Sequence, residues 1–154
     1  MFAMTANVTI RAATASDGED VLRWRNDPVT QRMSRNTGEI ARDAHLEWYA
    51  SILGDPARLL LIGCVDGVAI GMARFDQLAP HTWEVSINLD PARRGDGLSR
   101  GLLAAALKEI ALRKPRTIVA EIKPINAVSR HLFESLGFRL VSRGGLMDRF
   151  ELVL

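Results

Sequence analysis

At 154 residues, 47% hydrophobic and 25% charged, the chain has the length and composition of one globular domain, which excludes fibrous, disordered and multi-span membrane classes. A net charge of +2, with the 20 basic residues scattered along the chain, excludes an extended nucleic-acid surface. The single Cys64 excludes an internal disulfide and suits a reducing compartment; it lies in an apolar run and is read as a small core residue.

The first residues, MFAMTAN, carry no apolar leader core, and no apolar run approaches the roughly 20 residues of a membrane span. A cytoplasmic protein away from the membrane is expected. Val8 to Ala12 reads as a first strand. Ser16 or Asp17 is the expected cap of a helix with Glu19 and Asp20 in its first turn and Val21, Leu22 and Trp24 on its apolar side. That helix should end before Pro28. Residues 28–40 read as polar and irregular. A second helix over 41–53 is expected to bury Leu46, Tyr49, Ala50 and Leu53. Leu59 to Val65 and Val68 to Phe75 flank Asp66-Gly67, the strongest hairpin signal in the chain. Residues 76–81 are expected to turn the chain into the next strand.

Glu84 to Ile110 is the stretch on which the rest depends. Val85, Ile87 and Leu89 alternate with Glu84, Ser86 and Asn88, the period of a half-buried strand. Asp90-Pro91 stops it, because proline has no N–H for the ladder. The loop Arg94-Gly95-Asp96-Gly97-Leu98-Ser99 then enters a helix whose Leu103, Leu107 and Ile110 share a face. Helix-start N–H groups without intrahelical partners, the helix dipole and glycines that admit close approach make an anion site there, with Arg93, Arg94 and Arg100 adding charge. A phosphate-bearing ligand is expected; the plain alternative is a glycine turn with solvated arginines. Further on, Thr117 to Ile122 is a strand, Asn126 caps a helix to Leu136, Gly137 follows as its left-handed stop, and 138–142 with 147–153 form a terminal hairpin.

The spacing Arg94-x-x-Gly97-x-Ser99 resembles the acyl-CoA loop of the GNAT superfamily of N-acetyltransferases, Arg/Gln-x-x-Gly-x-Gly/Ala. Asn126-x-x-Ser129, followed by Phe133-Glu-Ser-Leu-Gly137-Phe138, resembles the family's C-terminal signature. The resemblance covers most of residues 59–154. It implies that acetyl-CoA binds through Arg94, Gly95, Asp96, Gly97, Leu98 and Ser99 at the pyrophosphate, through the backbone of Ile87, Asn88 and Leu89 at the pantetheine, and along the stripe Asn126, Ser129 and Phe133. The chain departs from the pattern at Ser99, where Gly or Ala is usual, and at Asp96, whose charge opposes a pyrophosphate unless it turns outward. It departs again at Phe133. The family's frequent Tyr there protonates the leaving thiolate, and Phe has no proton to give. A thiol near pKa ~8.5 still leaves tolerably as thiolate. Ser129 or water is the remaining acid.

Acetyl transfer to an amine also needs the amine neutral. An ammonium near pKa ~10.4 costs about 4–5 kcal/mol to deprotonate at pH 7, so a base helps. Glu84, on the polar side of its strand, is the candidate; the alternative is a surface carboxylate. The N-terminal part supplies the acceptor candidates Trp24, Arg25, Asn26, Arg35, Asn36, His45 and Trp48, each of which also has a bland reading: Trp24 and Trp48 as core, Arg25 with Asp27 as a surface pair, His45 as exposed. The Trp-Arg-Asn-Asp segment with His-x-x-Trp looks like acetyltransferases of nucleotide-linked amino sugars, of the pseudaminic-acid pathway type, and also like those acting on ribosomal-protein N-termini. The amino sugar is the expected acceptor.

The expected architecture is an α/β (α+β) domain over residues 1–154: a mixed, mostly antiparallel sheet of about seven strands with about four helices, acceptor helices over about 16–53 and an acyl-CoA core over about 59–154. Acetyl-CoA and a small amine are the expected partners, without metal, nucleic acid or membrane, in a monomer or homodimer. Two rivals stand beside it. A dinucleotide-binding domain would use Gly95-x-Gly97 with Glu121, but Gly101 is one residue too far and repeated strand–helix units are lacking. An acyl-CoA-binding module without turnover would explain Phe133.

Overall fold

The computed structural model describes residues 7–154; the leader reading of MFAMTAN falls almost wholly on residues 1–6, outside the described residues. Seven strands form one sheet in the order β1-β2-β3-β4-β5-β7-β6. They are β1 Thr9–Ala12, β2 Arg58–Val65, β3 Val68–Ala79, β4 Thr82–Leu89, β5 Thr117–Ile122, β6 Arg139–Ser142 and β7 Asp148–Val153. Among the described residues the five α-helices are α1 Gly18–Arg25, α2 Pro28–Met33, α3 Arg42–Leu53, α4 Leu98–Ile110 and α5 Ala127–Ser135. Every strand pairing is antiparallel except β4 with β5. No helix among the described residues is long and apolar enough to cross a membrane.

The continuous apolar run of β2 follows from cover on both faces. Leu61 packs with Phe75, Val85, Leu103 and Phe133 in one core, under α4 and α5. Leu60, Ile62 and Cys64 pack with Val21, Trp24, Tyr49 and Ile52 in the other, under α1 and α3. Gly71 lets α4 lie close: a Cβ there would stand 2.7 Å from the Asn88 carbonyl and 3.1 Å from Leu102. The start of α4 is thereby held beside the end of β4.

Several expectations change. Residues 28–33 are helical, not irregular; Pro28 takes the first helical position and Asp27 accepts from the N–H groups of Val29 and Thr30, both at 3.1 Å. In α3 the buried stripe is His45, Tyr49 and Ile52, while Ala50 and Leu53 are exposed. The reason is polar satisfaction: the His45 ring bonds the Gly18 carbonyl and the Tyr49 hydroxyl bonds that of Thr14, so both rings bury with their polar atoms paired. Asp17 stands at the N-cap of α1 but gives that helix no side-chain hydrogen bond; its carboxylate closes the preceding 3-10 turn instead. It accepts from Arg11 and from the Thr14 N–H, and Arg11 holds its carboxyl below the usual range. The turn before β4 is only Pro80-His81, because β3 continues to Ala79. The terminal hairpin exists, but β7 lies between β5 and β6.

Candidate active site

β4 and β5 pair only at Thr82–Thr117, Trp83–Ile118 and Glu84–Val119. Both strands continue, yet from Val85 to Leu89 β4 has a strand partner only on its β3 side. A cleft opens where the two strands part. Its β4 wall is an extended backbone edge whose polar groups call for a partner. Glu84 stands on the last paired rung, at the vertex.

The loop before α4 closes one end of this cleft. Gly95 and Gly97 adopt φ of 84° and 71°, the left-handed region that favours glycine. A Cβ on either would meet nothing within 4 Å, so the backbone rotation demands glycine and the space outside stays open. Gly97 caps α4 without a side chain, which leaves the first N–H groups of a 13-residue helix directed outward. Asp96 is turned away to Arg93, 3.4 Å off, and stands exposed. Leu98 is buried and Ser99 partly exposed. Arg94 does not lie over the loop. It bonds Asp27 and, at 3.2 Å, the Thr30 hydroxyl, and it keeps the Asp27 carboxyl low. The cradle's donors are therefore backbone amides.

α5 is capped by Asn126, whose side chain accepts from the Ser129 N–H at 3.1 Å. Phe133 is only 4% exposed and meets Phe138 edge-on at 5.0 Å, a core contact. Ser129 is partly exposed, and its hydroxyl bonds nothing among the described residues.

Glu84 and Glu121 flank the parting strands on one face of the sheet, and the Arg35 guanidinium touches both, at 3.5 Å from Glu84. Arg35 is held more basic than usual, chiefly by its bond to Glu121. It projects from residues 34–41, which cross this face. Asn26 anchors that segment by bonding both the N–H and the carbonyl of Ile40, at 2.8 and 2.9 Å. Arg25 donates to the Asn36 carbonyl, Asn36 accepts from the Gly38 N–H, and Lys123 donates to the Arg32 carbonyl at 2.7 Å. Asn26 and Asn36 thus shape the segment.

Trp24 and His45 stand apart from the cleft. Trp24 is wholly buried in the second core. His45 is 2% exposed against the expected exposure, and burial lowers its pKa. Trp48 stays partly exposed beneath the Arg74 guanidinium, 5.3 Å from the ring centre. Arg74, Asp76 and Glu121 were not singled out from sequence as acceptor residues. The available signal was phase: Met72, Arg74 and Asp76 alternate with the buried Ala73 and Phe75, and Arg74 pairs with Ser86 as Asp76 does with Glu84. Among the described residues no group of three or more His, Cys, Asp or Glu could hold a metal ion.

Comparison with known proteins agrees with this geometry. The acetyltransferase (GNAT) domain model matches residues 7–139. The chain is 31% identical over 144 residues to an L-methionine sulfoximine/L-methionine sulfone acetyltransferase of Salmonella typhimurium, covering 88% of this chain and 82% of that protein. The structure of yncA from Salmonella typhimurium, solved with its cofactor acetyl-CoA, superposes with a TM-score of 0.76 at 29% identity, over 96% of this chain and 94% of that one. A ribosomal-protein-alanine N-acetyltransferase from Brucella melitensis superposes with a TM-score of 0.80 at 26% identity, over 94% of this chain and 99% of that one.

Proposed function

The chain belongs to the GNAT family of N-acetyltransferases, and from that premise we propose that it transfers acetyl from acetyl-CoA to the primary amine of a small molecule that itself carries an anionic group. The observation that carries the reading is the parting of β4 from β5 at Glu84, beside an open glycine cradle at the start of α4. The residues fit the cofactor. Amides of Gly95 to Ser99 would hold its pyrophosphate, and the free edge of Val85 to Leu89 would hold its pantetheine arm. When bound, acetyl-CoA supplies an acetyl group on a thioester whose carbonyl carbon accepts an amine.

Glu84 takes a proton from the amine, directly or through a water, as the amine becomes a nucleophile. N–H groups on the free edge of β4 would orient the acetyl carbonyl and polarise it. Phe133 has no proton to give; Ser129, partly exposed on α5, would be the hydroxyl that serves the departing sulfur, with water as its substitute.

For the acceptor, the Salmonella relative supports the α-amine of a small amino acid. The second reading is a nucleotide-linked amino sugar, favoured by Trp48 with the Arg74 cation over its ring, a setting suited to a base beside phosphates. The test is acetyl-CoA turnover over amino acids, nucleotide-linked amino sugars, polyamines and N-terminal peptides. Turnover confined to polyamines or peptides would contradict the reading.

A further inference from the structure

Arg25 stands out among the arginines near the cleft. Its Nη1 is buried without a hydrogen-bond partner, and among the described residues no carboxylate pairs with it. Its other terminal nitrogen donates to the Asn36 carbonyl, a neutral acceptor. Burial depresses its pKa, and the neighbouring Arg74 cation depresses it further. Arg74 has one carboxylate, Asp76, on its Nε at 3.0 Å, and the face of Trp48 on the other side. Arg25 is therefore left with an unused donor, and Arg74 stands on the sheet face where Ser86 and Glu84 lie. A buried, unsatisfied donor and a like charge nearby both oppose folding; Trp24 Nε1 and Asp76 Oδ1 are likewise buried without a partner.

The location gives the arrangement a use. Arg74 pairs across the sheet with Ser86, so Glu84 is its diagonal neighbour, about 7–8 Å away on the same face. Arg25 reaches the same face from above, through the segment that carries Arg35 to Glu84. We propose that Arg25 and Arg74 form an anion subsite of the acceptor pocket, which takes a carboxylate or phosphate of the substrate while its amine lies at Glu84. The subsite deepens the acceptor reading above and rests on it. The anion removes the repulsion between the two cations and satisfies the stranded Nη1 with a charge-assisted bond. Selectivity follows: a neutral analogue of a good acceptor leaves the Arg25 guanidinium uncompensated and is rejected.

The experiment observes the arginine Nε–H signals by NMR in protein saturated with CoA, so that the glycine cradle is already filled. L-methionine sulfone, its carboxamide and uridine diphosphate are titrated in turn. The Arg25 and Arg74 signals are expected to move saturably with the carboxylate or the diphosphate and not with the carboxamide, and which anion moves them identifies the source. In parallel, Arg74→Gln and Arg25→Gln should remove about tenfold or more of the preference for the acid over its amide, and Arg74→Lys should restore part of it. Signals indifferent to every anion, or a preference intact in both Gln variants, would overturn the subsite. Signals that respond while no amino acid or amino sugar is acetylated would retain the subsite and refute the acceptor reading.

Discussion

Arg94 of the glycine loop reaches across the molecule to Asp27, the residue that caps α2. The two residues are 67 positions apart and belong to the two halves of the machine, one expected to hold the cofactor and one the acceptor. Asp27 thus performs two tasks, completing the first turn of a six-residue helix and fixing the loop. Both Arg94→Ala and Asp27→Ala are expected to weaken acetyl-CoA binding and to raise the amine KM together. Asp27→Ala should also cost about 1–2 kcal/mol of stability through the lost cap. Steady-state kinetics beside denaturant unfolding checks this. Arg25→Ala, by contrast, should raise only the amine KM.

The cradle at Gly97 predicts that acetyl-CoA stabilises the fold. At about a hundredfold excess over Kd, the gain is about 2.7 kcal/mol, or a Tm rise of about 5–10 °C. Gly97→Glu should abolish it, since a non-glycine residue is strained at φ 71° and its charge enters the anion site. Thermal unfolding with and without acetyl-CoA decides. NADH giving the shift in its place would favour a dinucleotide site.

His45 sits in the fold as a stability element. Its ring is buried on the Gly18 carbonyl at 2.9 Å, and burial holds its pKa below the ordinary value. The unfolded state then binds the proton first as pH falls below about 6.5. Stability contributed by neutral His45 is complete above that pH and is lost as pH drops toward the folded pKa. Unfolding midpoints measured between about pH 7.5 and 5 should fall in the wild type and fall less in His45→Gln. His45→Ala should leave the amine KM nearly unchanged and cost about 1–3 kcal/mol.

Phe133→Tyr should lower stability without raising kcat. Phe133 lies edge-on to Phe138 in the core, so an added hydroxyl enters an apolar contact and costs about 1–3 kcal/mol unless it reaches the cleft. Unfolding and kcat on the same preparation check it. A raised kcat would show that protonation of the departing thiolate limits turnover.

Much of this was legible in the sequence because it is local. The alternation through β4, the Asp90-Pro91 stop, the paired glycines and the helix after them each declare a backbone state over a few residues, and so do Asp66-Gly67, the Asn126 cap and Gly137, whose φ is 97°. α2 was missed although Asp27-Pro28 is a cap with proline in the first turn; six residues with no buried side chain leave no apolar period to read. The stripe of α3 was displaced because His45 buries through a bond to a carbonyl 27 residues away, which periodicity cannot report. The same limit hid the floor of the proposed acceptor pocket. Arg74, Glu84 and Glu121 come from three strands, and only the register and the parting of β4 from β5 bring them to one face.

The central claim is that Glu84, at the vertex of that parting, takes the amine's proton. Removing the proton limits turnover on this account, because a protonated amine is no nucleophile while a thiolate is a tolerable leaving group. The direct measurement is kcat against pH for wild type and Glu84→Gln, with acetyl-CoA affinity measured alongside. A fall in kcat on the order of 10²-fold or more with acetyl-CoA affinity unchanged is predicted. An unchanged kcat and an unchanged pH profile in Glu84→Gln would contradict it.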